Sequence, residues 1–317
     1  MHGWIYRRHG GPEVLDWTPL EARAPGEGEI AVRVVAAALN PLDWKLRAGQ
    51  FRLMSKSPPR GTGYDYAGTV EAVGPGVADF APGDAVVGLV HPMNSRDGTM
   101  AERLVAPAAL AVRKPPGLSF TDAASLPGAG ITAAQALREA GLAKGQRVLV
   151  VGASGGVGAF AVLIAKHAGA HVTAVASTDG QAFLAGLSPD RAIDYRKEDW
   201  RRIEGPFDLV FDASGTSRFG DVAPLLAPKG GWIHALPGPG LYIRSWWHRL
   251  KGGPRVLPVM VRPNRPDLEF LARETAAGRL RSVVTRVATP PEVPALQSEM
   301  AAGHNRGKLV VRFLPEP

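Results

Sequence analysis

The sequence predicts an α/β chain in which a doubly wound parallel sheet is inserted into a mostly β domain. Three observations predict it. Residues 1–120 read as short β segments separated by Gly and Pro turns. Residues 121–265 alternate helix and strand with short connections. The tail, 266–317, ends on the strand pattern KLVVRF at 308–313, returning the chain to the β domain. At 317 residues the chain is long enough for two domains, each with its own core.

In the first stretch IAVRVVAAA at 30–38, GTVEAVG at 68–74, AVVGLV at 85–90 and ERLVA at 102–106 are strands. GGPE, APGEGE, GPGV and APGD supply the turns between strands. Helices are expected at 121–126 and 131–140. A strand at 147, a helix from 159, a strand at 171–176 and a helix near Gln181 follow. Three further short strands fall at 191–195, 208–213 and 232–236. Residues 241–265 read as irregular and rich in Trp, Arg and Pro, with a strand at 256–261; an amphipathic helix at 267–277 stops at Gly278.

The stretch RVLVVGASGGVG at 147–158 carries the most chemistry. A β-branched run reaches a glycine-rich turn and an apolar helix. Such a turn lets backbone N–H groups approach a pyrophosphate, and the helix N-terminus adds partial positive charge. The spacing is Ala153-x-Gly155-x-x-Gly158, with alanine in place of the usual first glycine. With the strand at 171–176 it completes a βαβ unit of the Rossmann type. Gly152, Ala153, Ser154, Gly155, Gly156, Val157 and Gly158 are therefore expected to bind a dinucleotide, nicotinamide or flavin on this pattern alone. An Asp or Glu ending the second strand would bond a ribose 2′-hydroxyl and repel a 2′-phosphate. The chain has Ser177 and Thr178 there, which favours NADPH over NADH, although the same hydroxyls suit a helix cap.

Composition narrows the chemistry. Cysteine is absent, which removes disulfides, thiol nucleophiles and cysteine-ligated zinc, and of the eight histidines only His167 and His171 are spaced HxxxH, across Ala-Gly-Ala at the break between helix and strand. The net charge of +8 comes from scattered Lys and Arg, densest at 244–255, and is read as solvated faces, with neither nucleic acid nor membrane as partner. No run of eighteen apolar residues and no N-terminal apolar segment is present, so a cytoplasmic location is expected.

Several segments, in order, are similar to one family: ALNPLD at 38–43, GYDYAGTVEAVG at 63–74, FAPGDAVVG at 80–88, GTMAE at 98–102, LPGAGITA at 126–133, GASGGVG at 152–158, AIDY at 192–195, FDLVFDASG at 207–215 and RGKLVV at 306–311. The chain resembles the zinc-independent medium-chain dehydrogenase/reductases, in the quinone oxidoreductase-like branch. The resemblance implies a GroES-like substrate domain over 1–120 plus 266–317 and a Rossmann NADP(H)-binding domain over 121–265, with the active site in the cleft between them. Zinc-dependent relatives carry Cys near Asn40, His-Glu at Tyr64-Asp65 and a four-cysteine lobe near 91–99, so neither metal is expected.

The implied activity is hydride transfer from NADPH to quinones or α,β-unsaturated carbonyl compounds. The alternatives are an enoyl-thioester or alcohol oxidoreductase of the same fold, or a catalytically silent NADPH-binding module. Ser177 and Tyr195 resemble the 2′-phosphate contacts, with Thr178 beside them. Leu236 and Pro237 would wrap the nicotinamide half of the cofactor. Asn40 and Thr132 would lie beside nicotinamide and substrate, while Asp43 and Asp65 read as structural supports. A homodimer through the strand at 256–261 is expected, and Trp246 and Trp247 suit either an apolar pocket or an exposed interface.

Overall fold

The computed structural model describes residues 1–235, 238–251, 253–303 and 305–316; the side chains of residues 239 and 249–251 fall outside that description. The chain forms two compact units. The first is Met1–Gly128, Pro263–Gly278 and Ser282–Pro317; the second is Ala129–Arg262 with Arg279–Arg281.

In the first unit the chain runs β1 (His2–Tyr6), β2 (Leu15–Pro19), β3 (Glu29–Ala38), α1 (Pro41–Arg47), β4 (Arg60–Gly61), β5 (Asp65–Val73), β6 (Ala85–Leu89), β7 (Arg103–Pro107), β8 (Ala111–Arg113) and α2 (Phe120–Ala124). A small sheet has the order β2-β1-β4. The larger one is built on β3, which pairs antiparallel with β5 and β7. Buried Ile30, Val32, Val34, Tyr66, Val70 and Val86 form the centre of its core. Gly68 lets β5 cross β3 closely: a Cβ there would stand 2.1 Å from the Arg33 carbonyl oxygen. Asn40-Pro41 opens α1, because Pro41 suits the first helical position and the Asn40 N–H donates to the Asp43 carboxylate.

α3 (Pro127–Glu139) leads into the second unit. There follow β9 (Arg147–Val151), α4 (Gly156–His167), β10 (His171–Ala176), α5 (Gln181–Leu187), β11 (Arg191–Asp194), β12 (Phe207–Asp212), α6 (Phe219–Val222), β13 (Leu226–His234), α7 (Pro239–Lys251) and β14 (Arg255–Pro258). All six strands are parallel, in the order β11-β10-β9-β12-β13-β14. This is the doubly wound Rossmann order. The chain leaves β9 in opposite directions toward β10 and β12, which opens a crevice at their carboxyl ends. The segment read as irregular contains α7, whose Gly- and Pro-rich flanks read as loop.

The chain returns to the first unit with α8 (Arg265–Ala276), β15 (Val284–Ala288), α9 (Val293–Ala301) and β16 (Lys308–Arg312). β16 pairs antiparallel with β3 and parallel with β15, completing the order β15-β16-β3-β5-β6-β8, with β7 also on β3. Among the described residues no helix is long and apolar enough to cross a membrane.

Candidate active site

The glycine turn joins β9 to α4 at the crevice of the second unit. Gly152 has φ +75, a left-handed conformation suited to glycine, and a Cβ there would meet Ser214 at 2.9 Å. Ala153 is fully buried, and its N–H donates to the Val175 carbonyl at 2.9 Å, so alanine fits where the usual motif has glycine. At Gly158 a Cβ would stand 2.2 Å from the Gly152 carbonyl oxygen; glycine is required for α4 to pack on the turn. Gly155 differs, since its Cβ would meet only one atom, at 3.5 Å. It caps α4, and no side-chain bond closes that helix end. Ser154, Gly156 and Val157 are half-buried around it. The uncapped N–H groups of a twelve-residue helix beside an open glycine suit a pyrophosphate.

At the end of β10, Ser177 is half-buried and its side chain makes no capping bond to the short turn that follows. Thr178 is engaged: its hydroxyl donates to Asp194 Oδ2 at 2.7 Å, tying the end of β10 to that of β11. That bond is the main cause holding the Asp194 carboxyl below its usual range. Tyr195 is 48% exposed, with the Arg196 guanidinium 5.7 Å from its ring centre. Leu236 and Pro237 lie outside the described residues. Thr132 sits part-buried on α3.

Sequence reasoning missed the organiser of the neighbouring crest. Asp212, fully buried at the end of β12, accepts from the N–H and hydroxyl of both Ser214 and Ser217 and from the Gly215 N–H, at 2.6–3.0 Å. The loop that meets Gly152 is thereby fixed. His234 Nε2, from the end of β13, is 3.7 Å from Asp212 Oδ2. The signal was present as an Asp followed at short range by two serines and a glycine, a spacing suited to side chain–backbone turns.

In the first unit a buried polar cluster gathers where three strands meet. Ala38 at the end of β3 pairs with Asp65 of β5 and with Val310 of β16. Continuing that antiparallel register brings Lys308 opposite Asn40. Lys308 Nζ donates to Asn40 Oδ1 at 2.5 Å, to the Leu39 carbonyl at 3.0 Å and to Asp65 Oδ2 at 3.3 Å. The Asn40 amide nitrogen donates to Asp65 Oδ2 at 2.8 Å, while Asp65 Oδ1 accepts from the Gly128 N–H at 2.9 Å. Asn40, Asp43, Asp65 and Lys308 are each at most 3% exposed.

Burial, with Asp65 nearby, pushes the Asp43 carboxyl up to about 7. Burial also raises Asp65, against the pull of Lys308. Asn40 is thus locked, its oxygen on an ammonium and its nitrogen on a carboxylate. The neighbouring phenols belong to the core: burial raises Tyr64 well above its ordinary value, and the buried Tyr66 hydroxyl has no partner among the described residues.

Residues 26–116 match the alcohol dehydrogenase GroES-like domain family, and residues 187–311 match the zinc-binding dehydrogenase family. The chain is 30% identical to a chloroplastic quinone-oxidoreductase homolog of Spinacia oleracea, over 98% of each chain. It is 32% identical to a chloroplastic NADPH-dependent alkenal/one oxidoreductase of Arabidopsis thaliana, covering 99% of this chain and 80% of that one. The solved structure of a quinone oxidoreductase from Coxiella burnetii superimposes with a TM-score of 0.88 at 30% identity, over 99% of each chain. Fold, glycine turn and matches together define an oxidoreductase of the nicotinamide-dependent dehydrogenase type. The chain belongs to the medium-chain dehydrogenase/reductase family, in its quinone oxidoreductase-like branch.

Zinc, which the second family's description implies, does not fit the residues present. The sequence has no cysteine, and no three His, Asp or Glu side chains converge among the described residues. At the position of the zinc-binding pair stand Tyr64 and Asp65, and the Asp65 carboxylate is answered by the Lys308 ammonium.

Proposed function

We propose that the protein is a zinc-independent, NADPH-dependent reductase of quinones or α,β-unsaturated carbonyl compounds. The observation that carries the cofactor preference is Ser177: a hydroxyl free of any capping bond ends β10 where an acid would repel a 2′-phosphate. Tyr195 and Arg196, the first two residues beyond β11, stand exposed and suit the same phosphate. Thr178 acts through Asp194, holding the ends of β10 and β11 together. Gly155 and the first N–H groups of α4 hold the pyrophosphate. A bound nicotinamide supplies the hydride.

The acceptor class follows from the donor set in the first unit. Asn40, Asp65 and Lys308 neutralise one another and offer no Lewis acid to polarise an unactivated ketone. Quinones and enones are electrophilic without one. The quinone-oxidoreductase and alkenal/one oxidoreductase names of the two relatives support this reading. Protonation of the reduced product is assigned to solvent. The outer edge of β14 ends the six-stranded sheet, and a homodimer through that edge is part of the proposal.

The test is oxidation of NADPH and of NADH against ortho-quinones, para-quinones and enones, for the parent and Ser177→Asp. Turnover with NADPH is expected for the parent. In S177D the KM for NADPH should rise at least about tenfold with that for NADH little changed, since an added carboxylate opposes only the 2′-phosphate. Equal response of both cofactors would refute the Ser177 assignment, and NADPH binding without reduction of any acceptor would refute the reductase.

A further inference from the structure

Residues 222–266 carry seven lysines and arginines and not one aspartate or glutamate, so this segment accounts for nearly all of the net charge of +8. α7 lies within it. Leu241 and His248, at i and i+7, face inward. Leu241 packs on the core that contains Trp232, and the His248 ring is 4.5 Å from Phe219. Ser245, between them, is half-buried. The other side of the helix carries large apolar groups in the open: Tyr242 is 40% exposed, Ile243 62%, Trp246 59% and Trp247 50%. Met260, beyond β14, is 56% exposed. Trp200 and Trp232 of the same unit are nearly fully buried, so among the tryptophans of this unit exposure is particular to α7.

An indole joins an apolar body to a polar N–H and is at home at the headgroup level of a bilayer. Aromatic and aliphatic side chains with interspersed cations, on a helix too short to span, match a helix that lies in the interface plane. Charge decides between occupants. A two-fold contact made by this face, unlike one through the β14 edge, would set the cations of α7, Arg244, Arg249 and Lys251, against their copies, with no acidic residue on the helix to answer them. An anionic lipid surface answers them directly.

We propose that the outer face of α7 docks the protein peripherally on an anionic lipid bilayer. Trp246, Trp247 and Ile243 enter the headgroup region, and the cations of α7 pair with lipid phosphates. This replaces the sequence expectation of solvated positive faces and no membrane partner.

The test uses the full chain in flotation with vesicles of phosphatidylcholine alone and of phosphatidylcholine mixed with phosphatidylglycerol, with tryptophan emission recorded in parallel. Flotation with the anionic vesicles only, release by salt and a blue shift of emission are expected. Trp246→Ser/Trp247→Ser should weaken partition by at least about tenfold, and Arg244→Gln by about fivefold. Circular dichroism should stay unchanged for both, and since the Arg244 guanidinium also lies 5.4 Å from the Phe219 ring centre the melting temperature of its variant is recorded beside its partition; Ile243→Ser is the milder second variant, expected to weaken partition in the same direction. Absence of binding to anionic vesicles, or partition unaffected by loss of both indoles, would overturn the proposal. So would binding without an emission shift, which points to a polyanion such as nucleic acid. A lower oligomeric state in the double variant with unaltered lipid binding would assign the face to a second copy of the chain.

Discussion

Lys308→Met leaves the Asp65 carboxylate in the interior of the first unit without its ammonium, and the size of the loss can be worked from the geometry. At 3.3 Å the Lys308–Asp65 attraction is about 5 kcal/mol for an effective dielectric of ~20. The Leu39 carbonyl and Asn40 Oδ1 lose a donor as well. Breaking a buried pair from one side costs about 3–5 kcal/mol, and the same loss is expected here, some two to three and a half decades in the unfolding equilibrium. Urea denaturation reads the loss. Hydrogen exchange of the β3 and β16 amides then localises it to the first unit, since a chain of two units need not unfold in one step. Adding Asp65→Asn to Lys308→Met removes the stranded charge and keeps an acceptor for the Gly128 N–H, while the Asn40 amide, released by Lys308, can turn its oxygen to the new NH2 group. About 2 kcal/mol or more should return. Asp65 is already raised by burial, and more so without Lys308, so the deficit of the single variant shrinks as pH falls and the carboxyl takes up a proton. A loss under about 1 kcal/mol, as for exposed pairs, or a double variant less stable than the single one, would refute the reasoning.

Asp43, raised to about 7 in the folded state, binds a proton more tightly than the unfolded chain does, so its stabilisation is complete below about pH 4 and is lost as pH rises through about 7. Asp43→Asn should therefore gain on the parent between about pH 5 and 8 in urea midpoints; a constant difference would show that Asp43 is ionised throughout. Gly158→Ala should lower the melting temperature sharply, because its Cβ would overlap the Gly152 carbonyl. Gly155→Ala should leave it nearly unchanged while weakening NADPH binding by about tenfold or more, read by titration. Asp212→Ala removes the acceptor of five hydrogen bonds and should cost about 2–4 kcal/mol in urea denaturation, with faster exchange of the Ser214, Gly215 and Ser217 amides. Unchanged exchange there would show the loop to be held by other groups.

How much was legible depended on how local each feature is. The glycine turn was readable because its parts lie within twelve residues and each glycine answers one backbone demand, as at Gly152 and Gly158. The parallel strands were readable for the same reason: 171–176 is a short apolar run set between turn signals. α7 was not. Its flanks, Gly-Pro-Gly at 238–240 and Gly-Gly-Pro at 252–254, read as loop, and its apolar side, with Ile243, Trp246 and Trp247, faces outward instead of toward a core. α9 was missed because Val293-Pro at its start reads as a break, whereas Pro there occupies the first turn of a helix.

The buried cluster was beyond sequence reasoning for a different reason, since Asn40, Asp65 and Lys308 come from three strand ends as far apart as 268 residues along the chain. Each residue alone reads as ordinary: an Asn before Pro, an Asp entering a strand, a Lys after Gly. Only the sheet register shows that Lys308 must face Asn40 and that Ala38 brings Asp65 beside both. Reading Asp65 as a support was sound, but the support is electrostatic. An ammonium on a side chain compensates a carboxylate in the interior, much as a bound cation would, with the difference that its charge is covalently part of the last strand. That makes the cluster a link between the start and the end of the chain, because β16 cannot leave β3 without stranding Asp65. Lys308→Met/Asp65→Leu, with both charges gone and the volume filled, should then lose less than Lys308→Met alone, the remaining deficit coming from the unpaired Asn40 amide and Gly128 N–H, while β16 exchanges its amides faster than in the parent. Parent-like exchange in β16 would show that the apolar contacts of Leu309 and Val311 alone hold the two ends of the chain together.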